Sequence, residues 1–239
     1  MEIRAGMRIL FQDGDLAAVD KPAGWLTHRT RIAQGDDIAL QWTRDQLGRR
    51  VYPIHRLDRG SSGVLLFALH SDAAREMCSL FEARRVRKRY LAVVRGWPDQ
   101  AGVIDYPLQG ERGQPARPAL SRYRSQGRVE LPFPVGRYPT GRYALLEVEP
   151  ETGRFHQIRR HLHHICHPLI GDTTHGEGRH NRLFRDRLGL RRMLLHARSI
   201  SFAHPLTGAE LYIEAPLDAE WLGLLARLGW DRSGDTNVQ

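Results

Sequence analysis

Lysine is almost missing from this chain: Lys21 and Lys88 are the only two among 36 basic residues, so arginine carries nearly all of the positive charge. Cysteine is equally scarce. Cys78 and Cys166 alone cannot build a disulfide framework, and the cytoplasm is the expected compartment. No apolar run approaches the ~20 residues needed to span a bilayer, and Met1-Glu2-Ile3-Arg4 lacks the apolar stretch of a secretory leader. No membrane role is expected. Internal repeats, low-complexity tracts and a composition-marked linker are also absent, which argues for one domain rather than a string of modules.

What the sequence does contain is ordinary globular material with an unusual charge. Its 239 residues are 41% hydrophobic, and a chain of this length buries roughly 70–75% of its potential surface. The formal charge of +9 favours a polyanionic partner, because basic side chains displace counterions from phosphates. A GC-rich genome would also enrich arginine, so the distribution matters more than the total. From Arg154 to Arg192 there are nine arginines and seven histidines against Asp172, Glu177 and Asp186, and a second cluster runs Arg84-Arg85-Val86-Arg87-Lys88-Arg89. Such clustering is what a phosphate-tracking face requires.

The pattern predicts an α+β chain with a mixed, mainly antiparallel central sheet flanked by helices and loops. Arg8–Phe11 and Leu16–Val19 read as a hairpin about Asp13-Gly14-Asp15. Asp37 is placed to cap a helix carrying Leu40 and Leu47, stopped by Gly48. Val51–Ile54 is short and β-prone, and Gly63–Leu69 reads as a buried strand. A helix capped by Ser71 or Asp72 follows, with Ala74, Met77, Leu80 and Phe81 on one face. Further strands are expected at Tyr90–Val94, Ala144–Val148, Leu195–Phe202 and Leu211–Ile213, and an exposed loop at Gly110–Pro118. Helical spacing covers Phe155–Cys166 and Asp218–Leu228. Ser233–Gln239 reads as a flexible tail.

Four groups of residues could carry chemistry. In His55-Arg56-Leu57-Asp58-Arg59-Gly60-Ser61-Ser62-Gly63 a carboxylate lies between two arginines, and adjacent positive charge favours the ionised form that catalysis uses. An Asp capping a surface turn would look the same. In Glu151-Thr152-Gly153-Arg154-Phe155-His156-Gln157-Ile158-Arg159 a turn feeds a helix whose start can bind phosphate or hold a carboxylate; a solvated basic helix is the alternative. His156, His161, His163, His164 and His167 invite a metal, with His163–His167 or His161–His164 on one helical face. No acidic ligand, Cys pair or His-Glu-x-x-His pattern accompanies them, so no metal is expected. Finally, Tyr90 in Lys88-Arg89-Tyr90 is either a core aromatic or a platform for an extruded base.

Together these stretches resemble, in order and spacing, the RluA family of pseudouridine synthases, as does Ala18-Val19-Asp20-Lys21-Pro22-Ala23-Gly24. The resemblance implies one catalytic domain over 1–232 that isomerises uridine in structured RNA without cofactor or metal. It assigns Asp58 as the catalytic carboxylate. Tyr90, Arg159, Arg56 and Ile158 line the site, where Tyr90 stacks on uracil, Arg159 is the basic partner of the Asp, and Arg56 fills the space left by the flipped nucleotide. His55, Arg59, Arg154, His156, Arg182 and Arg185 are expected to bind RNA. Trp25-Leu26-Thr27-His28-Arg29, Gly136-Arg137-Tyr138-Pro139-Thr140, Ile170–Gly176 and Asn181-Arg182 resemble the tRNA-specific branch that modifies uridine 65. A ribosomal RNA or another tRNA site is the alternative substrate. No obligate protein partner is implied, and a monomer is expected. Three departures stand out: Ser61 replaces the usual Thr, Gly60 replaces Pro, and there is no room for an N-terminal S4-type RNA-binding domain. Outside this chemistry, an RNA-binding module without activity and a metal-dependent nuclease remain as readings of the charge and the histidines.

Overall fold

The computed structural model describes residues 6–29, 37–110 and 113–230; the expected tail at 233–239 and the first five residues lie outside the described residues. The chain packs as two compact units. One comprises Met1–Tyr90, Glu149–Gly153 and Leu195–Ala215, the other Leu91–Val148, Arg154–Leu194 and Pro216–Gln239. The architecture is α+β, with mixed, mainly antiparallel sheet and helices between the strands. Among the described residues no helix is long and apolar enough to cross a membrane.

In the first unit, β1 (Arg8–Gln12) and β2 (Leu16–Lys21) form the expected hairpin. Asp13 holds its turn by accepting the N–H groups of Asp15 and Leu16 at 2.8 and 2.7 Å, the local bonding that favours Asp there. The centre is β4 (Ser62–Ala68), antiparallel to β2 along one edge. Its other edge is shared by the short β3 (Tyr52–Pro53) and by β11 (Leu195–Ala203), which runs parallel to it. β12 (Glu210–Glu214) pairs antiparallel with β11.

Every residue of β4 is buried, because both of its faces are covered. That is why it reads as an unbroken apolar run rather than an alternating one. Val64, Leu66 and Ala68 pack with Ala73 and Met77 of α2 (Ser71–Glu82), whereas Leu65 and Phe67 pack with Ala39 of α1 (Ala39–Leu47), Val51 and Leu57.

The two helices start differently from their sequence signals. Asp37 does not cap α1: Ile38 precedes the first helical residue without a side-chain cap. The N–H groups of Ala39 and Leu40 instead donate to the carbonyls of Leu26 and Thr27, at 2.8 and 3.1 Å, so tertiary partners satisfy helix-end donors that a cap would otherwise serve. Gly48, in the left-handed conformation, stops the helix as expected. For α2 the cap is His70, whose Nδ1 accepts from Ala73 N–H, rather than Ser71 or Asp72.

Along the chain β5 (Arg87–Arg95) and β10 (Gly141–Pro150) each pass from one unit to the other. In the second unit the strand order continues β5-β10-β9-β6, with β9 (Leu120–Leu131) antiparallel to β6 (Ala101–Asp105). The sequence reading does not find β9. Two of its three buried positions are Ser121 and Ser125, so no apolar alternation marks it. Nor is the Gly110–Pro118 stretch wholly loop, since β8 (Ala116–Arg117) pairs with β7 (Leu108–Gln109). α4 (Gly178–Leu188) lies inside the basic cluster, begun by Glu177 and ended by left-handed Gly189. α5 (Ala219–Arg227) matches expectation, with Asp218 accepting from Trp221 N–H at 2.9 Å. Tyr143, Phe184, Leu194, Trp221 and Leu224 centre this unit's core.

The remaining helix is shorter than its spacing predicts. α3 covers Gln157–His164, because His156 at φ 52° breaks the helical path before it and Cys166 at φ 63° breaks it after. Ile158 and Leu162 are buried as expected, but Phe155 is 36% exposed. The helix buries polar groups instead. His161 bonds through both ring nitrogens, to Ser121 Oγ and the Tyr106 carbonyl, and Gln157 Nε2 donates to the Leu120 carbonyl and Ser121 Oγ.

Candidate active site

In the first unit the loop before β4 holds Asp58 half-buried, with Arg56 and Arg59 exposed beside it. Asp58 opens a turn in which its carbonyl accepts the N–H of Ser61 at 3.1 Å. The residues on either side are tied to the segment after β2. The Arg59 carbonyl accepts from Gly24 N–H at 2.7 Å, and Arg59 Nε donates back to the Gly24 carbonyl at 3.1 Å. Lys21 is fully buried, and its Nζ donates to the carbonyls of Pro22, Trp25 and Arg59 at 2.9, 2.8 and 3.4 Å. Three radial donors on a compact head suit three converging carbonyls in a way a planar guanidinium does not.

Tyr90 comes from β5 and packs against the apolar cluster of Leu57, Leu65 and Phe67. Burial, and then the negative charge of Asp58, push its pKa above the usual tyrosine value. The hydroxyl is therefore held protonated, and Asp58 lies close enough for its field to be felt there. Lys88, two residues earlier, donates to the Thr152 carbonyl at 3.4 Å and stands over the Phe81 ring at 5.8 Å. Burial lowers its pKa to about 8.

His55, expected to contact RNA, has one ring nitrogen and one ring face engaged within the first unit. Its Nε2 accepts the N–H of Leu66 at 3.0 Å, and its ring stacks on Phe81 at 5.5 Å. Burial, assisted by the charge of Lys88, lowers its pKa to about 3. The ring is neutral at physiological pH and lacks the charge that would draw it to a phosphate. It acts as a strut between the loop and β4.

In the second unit Arg159 and Asp172 form a buried two-bond pair: Nε and Nη2 donate to the two carboxylate oxygens, each at 2.7 Å, with side chains 8% and 0% exposed. Asp172 Oδ1 also accepts the N–H groups of Thr174 and His175, at 2.8 and 2.9 Å. Burial would raise the Asp172 pKa, but the Arg159 hydrogen bond and the His175 and Thr174 amides outweigh it and hold it below the usual value. The start of α3 thus holds a carboxylate, one of the two uses its sequence allows. His156 Nδ1 faces His175 Nε2 at 3.1 Å, and the His156 ring stacks on Phe155. Ile158 is buried, and Arg154 Nε donates to the Pro118 carbonyl at 3.1 Å. Arg182 and Arg185 are exposed on α4, where Arg185 pairs only loosely with Asp186 at 3.3 Å.

Two groupings have metal-like composition. His161 has both nitrogens committed, so it cannot join His164 around a cation. In the first unit Asp13, Asp15 and His204 converge. There His204 Nδ1 accepts the N–H groups of Leu206 and Thr207, so its proton sits on Nε2, facing Asp13 at 3.2 Å. A protonated nitrogen offers no lone pair to a metal.

The RNA pseudouridylate synthase family matches residues 15–164. The chain belongs to that family. The tRNA pseudouridine synthase C of Vibrio cholerae is 46% identical over 238 residues, covering 95% of this chain and 98% of that protein. That of Salmonella typhi is 47% identical over 235 residues, covering 94% and 90%. Among solved structures, Human RNA Pseudouridylate Synthase Domain Containing 4 superposes with a TM-score of 0.70 at 25% identity, covering 92% of each chain. This pseudouridine synthase is an isomerase.

Lys21, Thr27 and Asp172 make interactions that the motifs above do not indicate. A signal existed for the first: in a chain that uses arginine almost everywhere, both retained lysines, Lys21 and Lys88, make bonds inside the protein. Asp172 had a weaker one, as one of three acidic residues in the basic stretch.

Proposed function

We propose that this pseudouridine synthase modifies tRNA, at uridine 65, with Asp58 as its catalytic carboxylate. The observation that carries the reading is the neighbourhood of Asp58 and Tyr90: a half-buried carboxylate, on a loop tied down at both sides, beside a tyrosine whose hydroxyl is kept neutral. The tRNA assignment is supported by relatives of 46–47% identity that carry that substrate in their names.

The reaction breaks the N1–C1′ bond, turns the uracil and joins C5 to C1′. A proton leaves C5 and one returns to the ring, so reactant and product are isomers and no electrons are exchanged. Asp58 either attacks C1′ or takes the C2′ proton. The target atoms are inaccessible inside a stem, so the nucleotide is flipped out, at a cost of a few kcal/mol. Tyr90 stacks on the extruded uracil, and exposed Arg56 occupies the vacated space, where a planar guanidinium can stack and donate at once. Arg159, its plane set by Asp172, supplies the fixed positive charge the family resemblance assigns to it, and Ile158 the apolar wall. Arg59, Arg154, His156, Arg182 and Arg185 contact the RNA backbone, and the enzyme works as a cytoplasmic monomer.

Asp58→Asn is nearly isosteric, so it should bind tRNA as the native enzyme does and form no pseudouridine in nucleoside digests. Turnover by that variant would remove Asp58 from the chemistry. Sequencing tRNA from a deletion strain tests the substrate: uridine 65 should appear unmodified. If it stays modified while a ribosomal pseudouridine disappears, the chemistry stands and the RNA is wrong.

A further inference from the structure

We infer that Thr27 is a positioning residue for Asp58, acting through the peptide groups of Leu57; the inference rests on the assignment of Asp58 above. Thr27 is 4% exposed, and its single hydroxyl makes two bonds to one residue. Oγ1 donates to the Leu57 carbonyl at 3.0 Å and accepts the Leu57 N–H at 3.2 Å. A side chain thus does for Leu57 what a neighbouring strand would do, satisfying its buried donor and acceptor together. Leu57 is itself buried, 5% exposed, so neither group has water as a ready substitute.

Thr27 is also fixed at its own backbone. Its carbonyl accepts the N–H of Leu40 at the start of α1, at 3.1 Å. The route runs from α1 through Thr27 to Leu57, and Asp58 is the next residue. On the other flank the Arg59 carbonyl is held by Gly24 N–H and Lys21 Nζ. Asp58 is therefore suspended between two clamped peptides. This arrangement matters more here because Gly60, inside the Asp58–Ser61 turn, brings conformational freedom to that turn. With a loose residue after Asp58, the order of the loop comes from contacts across it, and the Thr27 hydroxyl supplies the one nearest the carboxylate on its N-terminal side.

The test compares Thr27→Val, which keeps shape and β-branching but loses both bonds, with Thr27→Ser, which keeps the hydroxyl. Single-turnover conversion of tRNA, the tRNA Kd, the melting temperature and hydrogen exchange at the Leu57 amide are measured on the full chain. The valine variant should convert bound tRNA about tenfold to a hundredfold more slowly, the scale on which small misplacements act. Its Kd should change less than twofold and its Leu57 amide should exchange faster. The serine variant should stay within about threefold of the native rate, with the amide still protected. A native rate in the valine variant overturns the inference, as does a serine variant as slow as valine, or a loss expressed only in Kd. If the valine variant does not fold, the serine variant decides alone: native rate and protection support the clamp, and a slow rate overturns it. Asp58→Asn run alongside separates the two layers. An inactive Asp58→Asn with a fully active Thr27→Val rejects the clamp only, whereas an active Asp58→Asn rejects the assignment of Asp58 itself.

Discussion

At the scale of single residues, Tyr90 and Arg159 make opposite demands on a mutagenesis experiment. Tyr90 contributes a ring and a hydroxyl, and Tyr90→Phe keeps the ring. If stacking on uracil dominates, the Phe variant should bind tRNA almost as the native enzyme does, while Tyr90→Ala should lose about 1–3 kcal/mol, the usual scale for a base–aromatic contact. Equal affinity and full turnover in both variants would take Tyr90 out of the site. Arg159 cannot be handled so cleanly. Removing it leaves the Asp172 carboxylate buried with two backbone donors but no cation. Breaking a buried pair from one side typically costs about 3–5 kcal/mol, so Arg159→Met should destabilise the fold as well as slow the reaction. Adding Asp172→Asn should recover a good part of that stability, read from urea midpoints, without restoring turnover. Recovery of turnover in the double variant would mean that Arg159 served only to neutralise Asp172.

At the scale of elements, the contact between β4 and β11 is the least forgiving. Gly63 sits at φ +108°, and a Cβ there would lie 2.2 Å from the Ala197 carbonyl oxygen, in the parallel pairing of the two strands. Backbone cannot yield as a flexible side chain can. Gly63→Ala should therefore cost about 3 kcal/mol or more, the range of strained and overpacked substitutions, lowering the urea midpoint or preventing soluble expression. A variant within about 0.5 kcal/mol of native would show that the strands separate easily. Elements also explain the uneven legibility of the sequence. β4, the hairpin and α5 follow from local pattern because their burial, turn bonding and capping are local. α1 and α3 do not. The start of α1 is bonded by the carbonyls of Leu26 and Thr27, and the buried side of α3 is filled by Gln157, Arg159 and His161, whose partners lie far along the chain. Apolar periodicity cannot report a buried polar face.

At the scale of the whole molecule, burial pushes several histidines toward the neutral form. His55 is lowered to about 3, and burial also lowers His161, His175 and His180. A histidine depressed in the folded state contributes stability that is present above its unfolded value, near 6.5. That contribution is lost as the pH falls toward the folded value, because the unfolded chain takes up the proton first. Between pH 6 and 4 the unfolding free energy should thus fall as the pH falls, with His55 contributing a slope of up to about 1.4 kcal/mol per pH unit. His55→Asn, which can still offer an oxygen to Leu66 N–H, should flatten the curve by about one proton. An unchanged slope in urea titrations across that range would mean that His55 is protonated in the folded state.

The chemistry of this protein was written in its sequence. The order and spacing of Asp58, Tyr90 and Gly153–Arg159, with arginine clustered on two stretches, carry the family resemblance, and the family fixes the reaction class. The sequence also determined the hairpin, the buried strand that follows the Asp58 loop and the α+β class. What holds those groups was decided only in three dimensions. Nothing local marks Thr27 as the partner of Leu57, Lys21 as the ammonium beneath the Arg59 carbonyl, Asp172 as the counter-ion of Arg159, or His55 as the acceptor of the Leu66 N–H. Each of these roles depends on a hydrogen bond across the fold, and one threonine, lysine or aspartate looks like another until the chain has closed around it.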